Sequence, residues 1–211
     1  MTCAVVFTYN RPEMLLNTVQ HLLKHVDRII VVDDGSPVQI GFVRDNIQYM
    51  HLPHVGKEGW WKHWNSVLKV CKDVDCDRFI FMPDDFEGLD VSRALSLYDS
   101  IKGDAKTLNL INCGREQWGA TRVQVSDDLI LCGFNDCGFV CSKFILRRLK
   151  FRMFPIYNYA HESSGVGRQL TSRLRKISVA MYCPVRSLAY HGDHPSVMHP
   201  ELRKREPIIS K

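Results

Sequence analysis

Arg28-Ile29-Ile30-Val31-Val32-Asp33-Asp34-Gly35-Ser36-Pro37 is an apolar run of strand length that stops abruptly on an acidic turn. The run does not alternate polar with apolar residues, so it reads as a strand buried on both faces, as in a parallel sheet. Upstream, Cys3 to Phe7 is a second buried strand. Between the two, Asn10 is placed to cap a helix whose first turn holds Pro12 and Glu13. Leu15, Leu16, Val19, Leu22, Leu23 and Val26 then recur at helical spacing. Downstream the alternation continues. Ile47 to Leu52 is a short strand, Gly56 to Lys72 a helix, Arg78 to Met82 a strand, Ser92 to Ile101 a helix and Thr107 to Cys113 a strand. This order predicts an α/β fold, a Rossmann-like and mostly parallel central sheet with helices on both faces.

Past a soft boundary near Cys113 the pattern is less regular. Val123 to Val125 and Leu129 to Leu131 suit a hairpin, Ser142 caps a helix to Leu149, and Glu162 to Lys176 reads as a helix broken by Gly165 and Gly167. Ile177 to Tyr182 is a last strand, and the tail beyond Gly192 is rich in His and Pro.

The 211 residues are 45% hydrophobic and 24% charged, a globular balance that excludes disorder and fibrous repeats. No apolar run reaches about 18 residues, so no membrane span is expected. The N-terminus lacks a basic segment and a cleavage site, which leads us to expect a cytoplasmic protein. The eight cysteines include no Cys-x-x-Cys and read as small buried thiols. The net charge of +5 is concentrated in the last third, at Arg147 to Arg152, Arg168 to Lys176 and Arg203 to Arg205. It suits polyanionic partners such as nucleic acid or nucleotide-linked substrates, beside the plainer reading of solvated helix faces.

Ligands of open parallel sheets bind beyond the carboxyl ends of the strands. Two such ends carry paired acids here, Asp33-Asp34 and Asp84-Asp85. Asp84, Asp85 and Glu87 place three carboxylates within four residues of one turn, where like charges repel unless a cation compensates them. Hard oxygen ligands suit Mg²⁺ or Mn²⁺ rather than zinc. The chain lacks a G-x-G-x-x-G, a P-loop and a G-x-S-x-G, which argues against dinucleotide binding, P-loop phosphoryl transfer and α/β-hydrolase chemistry. Trp60, Trp61 and Trp64 fit a helix face turned to the core, whereas Trp118 suits stacking on a sugar or base.

Val5-Val6-Phe7-Thr8-Tyr9-Asn10-Arg11-Pro12, followed after a helix by Ile29 to Ser36, resembles the opening of the family 2 glycosyltransferases with the GT-A fold. Phe79 to Glu87 stands where that family has its metal-binding acidic motif, as a compact Asp-Asp-x-Glu variant. Gly56-Lys57-Glu58-Gly59 with Asn65 is similar to the segment between those motifs. Asn135 to Ser142 resembles the acceptor-side loop, His161-Glu162 with Leu170 and Arg173-Leu174 the acidic pair and following helix, and Pro184 to Gly192 the C-terminal strand and histidine.

The resemblance implies a donor-binding half over residues 1–113 and an acceptor-binding half with its tail over 114–211. Thr8, Tyr9, Arg11, Lys57 and Asn65 would line the nucleotide-sugar donor, Asp33 and Asp34 its base and ribose, and Asp84 its ribose or sugar side. Asp85, with Glu87 and His191, would hold Mn²⁺ or Mg²⁺ on the diphosphate. Glu162, or alternatively Asp136, would act as the base of an inverting transfer. The expected enzyme moves a hexosyl or pentosyl group from a nucleotide-sugar, UDP-linked by preference, to an acceptor hydroxyl. The basic second half permits a hydroxymethylated base in DNA as acceptor; a cell-surface glycan, a lipid-linked or a protein acceptor is the alternative. A sugar-phosphate nucleotidyltransferase and a non-catalytic nucleotide-sugar-binding module are the rivals from other classes.

Overall fold

A computed structural model describes residues 1–112, 122–135, 137–153 and 166–192, together with the backbone but not the side chains of Lys57 and Glu58. Trp118, Asp136 and Glu162 lie outside the described residues.

The parallel half follows the apolar runs. Strands β1 (Thr2–Thr8), β2 (Arg28–Asp33), β3 (Ile47–His51) and β4 (Arg78–Pro83) are joined by helices α1 (Pro12–Leu22) and α2 (Gly56–Asp73). Beyond β4 come β5 (Phe86–Glu87), α3 (Val91–Ser100), β6 (Lys106–Asn109), β7 (Val123–Gln124), β8 (Leu129–Cys132) and β9 (Phe139–Ser142). The described chain closes with α4 (Lys143–Arg148), α5 (Val166–Lys176), β10 (Ala180–Pro184) and β11 (Tyr190–His191). Nine strands form one sheet in the order β3-β2-β1-β4-β9-β6-β10-β8-β7, and β11 pairs with β5 in a separate ribbon.

β1 is the axis, parallel to β2 on one side and to β4 on the other. The chain winds outward from β1 to β3, then crosses through α2 to the opposite side of β1. The β1–β4 junction is therefore the point at which the winding reverses, where α/β sheets open a crevice for ligands.

Alternate residues of β1 feed two cores. Cys3, Val5 and Phe7 face α2, α4 and α5, whereas Ala4 and Val6 face α1 and α3. Trp64 of α2, 1% exposed, anchors the first core against Phe7, Phe81 and Phe139, at ring-centroid distances of 4.7, 5.1 and 6.1 Å. Trp60 is buried beside it and Trp61 is partly buried, in keeping with the core face expected for this helix.

Several local features differ from the sequence reading. Asn10 does not cap α1. It adopts φ 53° and its N–H donates to Ser36 Oγ at 2.7 Å, while Arg11 takes the N-cap position without a side-chain bond. Ser142 does hold the N-cap position of α4 but makes no side-chain cap bond. The strand expected over Thr107 to Cys113 spans Lys106–Asn109, and the Leu110 N–H extends its register with β9 by one more bond, to the Gly138 carbonyl at 2.9 Å. Phe139–Ser142 is a strand that the sequence did not announce. It inserts antiparallel between β4 and β6, so strands from both sides of residue 113 share one sheet. Among the described residues no helix is long and apolar enough to cross a membrane.

Trp64→Ala is expected to cost about 3–5 kcal/mol, and Trp64→Phe, which keeps a ring in the cluster, under about 1.5 kcal/mol. Urea denaturation of the two variants measures the difference; equal midpoints would show that the aromatic cluster does not hold α2 to the sheet.

Candidate active site

Three strand ends meet at the crevice: Thr8 of β1, Asp33 of β2 and Pro83 of β4. Backbone bonds carry the ladder past the strands, from Asp34 N–H to the Thr8 carbonyl at 3.0 Å and from Asp84 N–H to the Phe7 carbonyl at 2.9 Å. The two acidic turns are thereby held either side of the loop that follows β1.

Asp84 is buried, and both of its oxygens are engaged. Thr8 Oγ1 donates to Oδ2 at 2.6 Å and Arg11 Nη1 to Oδ1 at 3.3 Å. Burial pushes its pKa up to about 6, and Thr8 and Arg11 offset only part of that rise. Asp85 behaves in the opposite way. Arg11 Nη1 lies 3.1 Å from its Oδ2, and His191 Nδ1 lies 3.5 Å from its Oδ1. Burial raises its pKa, but His191 and Arg11 outweigh burial and hold it below the ordinary carboxylate range.

His191 reaches Asp85 through the β5–β11 ribbon, in which it pairs with Phe86 and packs edge-on to that ring at 4.8 Å. The Gly192 N–H donates to the Asp85 carbonyl at 2.9 Å and closes the turn. Gly138 supports the same turn from behind: a Cβ there would stand 2.3 Å from the Phe86 ring.

Asp85 Oδ1 is buried and, among the described residues, makes no hydrogen bond of good geometry, with His191 Nδ1 standing 3.5 Å away. An orphaned carboxylate oxygen facing an imidazole nitrogen is a donor pair suited to Mn²⁺ or Mg²⁺, so the residues present fit a divalent ion. Among the described residues no three His, Cys, Asp or Glu side chains converge on one point, so Glu87 does not complete a cage with them. An ion here would take its remaining ligands from phosphate oxygens and water, as Mg²⁺-type sites do.

Asp33 and Asp34 are filled from within the protein. Asp33 Oδ1 accepts from Ser36 N–H at 3.0 Å and Ser36 Oγ at 2.5 Å; Oδ2 accepts from Tyr49 Oη and lies 3.2 Å from His51 Nδ1. Burial raises the Asp33 pKa, yet the bonds from Ser36, Tyr49 and His51 prevail and lower it. Asp34 Oδ1 accepts from Val55 N–H at 2.8 Å and lies 2.6 Å from His63 Nε2. Its Oδ2 accepts from Gly56 N–H at 3.2 Å and lies 3.1 Å from His54 Nδ1. Asp34 thus satisfies the first N–H groups of α2, placing its negative charge at the positive end of the helix. Gly35 makes the close turn possible: it adopts φ +74°, and a Cβ there would meet His54 N at 2.7 Å.

Of the residues read from the sequence, Thr8, Arg11, Asp84, Asp85 and His191 come together around the acidic turn. Tyr9 stands at the rim, stacked on His54 at 4.5 Å and 24°. Asn65 is turned elsewhere, its Oδ1 accepting the Met153 N–H. The side chain of Lys57, like Asp136 and Glu162, lies outside the described residues. The sequence reading did not single out Tyr49, His51, His54 or His63. Tyr49 and His51 sit two apart on β3, hence on one face, and the β2–β3 register sets His51 opposite Asp33.

Residues 3–103 match the model of Glycosyl transferase family 2. The fold is the one seen in GT-A glycosyltransferases of known structure. The mannosyltransferase PcManGT from Pyrobaculum calidifontis in complex with GDP-Man and Mn²⁺ matches 94% of this chain at a TM-score of 0.60 and 11% identity. The crystal structure of GalNAc-T7 with UDP, GalNAc and Mn²⁺ matches 87% at a TM-score of 0.58 and 9% identity. CMP:2-keto-3-deoxy-manno-octonic acid synthetase complexed with CTP matches 86% at a TM-score of 0.51 and 10% identity. The chain spans 58% of the mannosyltransferase, 42% of GalNAc-T7 and 88% of the synthetase. Among curated proteins nothing matches.

Asp33→Ala strands several buried donors and is expected to cost about 2–4 kcal/mol, against about 1 kcal/mol for Tyr49→Phe. Thermal or urea unfolding reads both. An unchanged midpoint for Asp33→Ala would remove the carboxylate from the framework.

The raised pKa of Asp84 carries a signed pH dependence. The folded chain takes up this proton near pH 6, and the unfolded chain only nearer pH 4. The folded state therefore binds more protons between those values, and stability rises as pH falls. Without divalent metal, wild type should gain about 1–2 kcal/mol relative to Asp84→Asn between pH 7 and pH 5. Parallel pH profiles for the two proteins would contradict a buried, strained charge.

Proposed function

We propose that this chain transfers a sugar, with inversion, from a nucleotide-sugar donor to an acceptor hydroxyl, using Mn²⁺ or Mg²⁺ held by Asp85 and His191. The observation that carries the reading is the orphaned Asp85 Oδ1, set 3.5 Å from His191 Nδ1 at the point where the sheet winding reverses. A divalent ion bound there would neutralise the charge that builds on the leaving nucleoside diphosphate.

The chain's own residues supply the rest. Arg11, pinned by Asp84 and Asp85, brings a fixed guanidinium to the same crevice and offers further N–H donors to phosphate oxygens. Tyr9 and His54 form a stacked, partly exposed pair at the rim, suited to the nucleobase end of the donor. Inversion requires a base on the face opposite the leaving group, within hydrogen-bond reach of the attacking hydroxyl. Glu162 and Asp136 remain the two residues we assign to that role. A UDP-linked donor is the preferred form. For the acceptor, the basic second half permits a nucleic acid, such as a hydroxymethylated base in DNA, and a glycan, lipid-linked or protein hydroxyl is the alternative.

The fold alone is shared with a synthetase bound to CTP, so the released product decides the reaction class. A panel of nucleotide-sugars with Mn²⁺ should yield nucleoside diphosphate; release of pyrophosphate from a nucleoside triphosphate would replace this reading with nucleotide transfer. Asp85→Asn should cut turnover by about 10³-fold and abolish the Mn²⁺ dependence of UDP binding measured by calorimetry. Full biological activity in that variant would make the chain a binding module.

A further inference from the structure

Of the described cysteines, Cys3, Cys71, Cys76, Cys141 and Cys183 are buried, as the sequence led us to expect, but Cys132 and Cys137 are partly exposed. Cys132 ends β8, inside a cluster of groups that act on its sulfur. In the antiparallel pairing of β8 with β10, Met181 lies opposite Cys132 and Cys183 lies opposite Ile130. Residues two apart on a strand share a face, so Cys132 and Cys183 are diagonal neighbours on one side of the sheet. Asn109, at the end of β6, donates a side-chain N–H to Cys132 Sγ at 3.5 Å. Arg122 brings a guanidinium to the same place, with Nη2 3.9 Å from Cys183 Sγ and 2.6 Å from Asn112 Oδ1. A second guanidinium, that of Arg175 on α5, is fixed one residue beyond Cys132 by donating to the Gly133 carbonyl.

These neighbours decide where the proton of the thiol goes. A thiol taken out of water keeps its proton, and burial raises the pKa of Cys3, Cys71, Cys76 and Cys141. Cys132 moves the other way, down to about 7. The hydrogen bond with Cys183 outweighs burial, and the Phe134 backbone, the Arg122 charge and the Asn109 amide act in the same direction. The neutral thiol donates to the Phe134 carbonyl at 3.2 Å. Deprotonation gives up that bond and keeps the donors from Cys183 and Asn109. A thiol of this kind is about half ionised at pH 7, against about 3% for an unperturbed one. The thiolate is the nucleophilic form, and the partial exposure of Cys132 lets a reagent reach it.

We propose that Cys132 is a thiol-modification site that exchanges with small anionic disulfides to form a mixed disulfide. The Cys132 thiolate attacks one sulfur of the incoming molecule. A Cys132 S–S bond forms as the original S–S bond breaks, and the other half leaves as a thiolate that takes up the proton Cys132 released. Cys132 is oxidised and the leaving half is reduced, so no further oxidant is needed. Cys183 assists by donating its S–H to the attacking sulfur. The two guanidiniums set a positive field at the thiol, which favours an anionic reagent over a cationic one. None of Cys132, Cys183, Arg122 and Asn109 belongs to the acidic turn or to the donor residues, so the inference stands apart from the proposed transfer.

The test treats the full folded chain with oxidised glutathione as the anionic probe and cystamine as the cationic one, and locates the adducts by peptide mass mapping. At pH 7 Cys132 should form the glutathione adduct at least about tenfold faster than any other cysteine, with a rate that rises through a midpoint near pH 7 rather than about 8.5. Measured against each reagent's rate on the urea-unfolded chain, oxidised glutathione should be favoured over cystamine by about threefold or more. Cys132→Ser should abolish the fast reaction. Arg122→Gln should raise the midpoint and weaken the preference for the anion, and Arg122→Lys, which keeps the charge, should restore both. Cys183→Ala should raise the midpoint as well. Wild type alone suffices to overturn the site: adducts spread evenly over the cysteines, a first adduct on another cysteine, or a midpoint near 8.5 would each do so. A fast reaction that persists in Cys132→Ser, or a midpoint unmoved in both Arg122→Gln and Cys183→Ala, would overturn it too.

Discussion

The rest of the site depends on one buried contact, the Asp84 carboxylate held by Thr8 Oγ1 and Arg11. A carboxylate taken out of water is costly unless its oxygens are met by donors and an opposite charge. Asp84 has both, and in being satisfied it locks the end of β4 to the loop after β1. Its neighbour is then left in a different state. Asp85 shares Arg11 on one oxygen, and on the other, among the described residues, it has only His191 at 3.5 Å. Two residues identical in sequence thus end with pKa shifts in opposite directions.

The second acidic pair does not divide in this way, because the oxygens of both members are met by the protein's own donors. A carboxylate offers about four lone-pair positions, and four nitrogen or oxygen atoms surround each of the Asp33 and Asp34 carboxylates. These contacts gather β3, the Ser36 turn and the start of α2 around the end of β2. A nucleobase N–H reaching either carboxylate has to displace one of those partners. The aromatic pair Tyr9–His54, by contrast, is already at the rim. His54 also touches Asp34, so the saturated acid fixes one ring of that pair.

The parallel half was legible because its signals are local. Val5 to Phe7 and Ile29 to Val32 are unbroken apolar runs, and the Leu15 to Leu22 spacing admits only a helix. The acidic turns were legible as strand ends. What escaped was whatever long-range pairing creates. Phe139-Val140-Cys141-Ser142 carries no alternation and leads directly into a helix, and it is a strand only because β4 and β6 bind it on both sides. The β5–β11 ribbon has two residues per strand, too few for any pattern. The partners of Asp33 and Asp34 come from β3 and α2, so the sequence displayed the acids and concealed that their oxygens are filled. Asn10 was misread for a similar reason. Its preference for caps is real, but left-handed backbone, which Asn tolerates, let it bond to Ser36 instead.

Insertion of β9 has a consequence for how the two halves cooperate. The strand brings Gly138 against Phe86 at a distance no side chain would allow, so the segment entering β9 and the acidic turn are packed together. The same segment is bonded through Asn135 to Thr171 on α5. Interiors packed this closely transmit displacement rather than absorb it. The position of the Asp84-Asp85 turn is therefore set by packing against the segment entering β9 as well as by its own bonds.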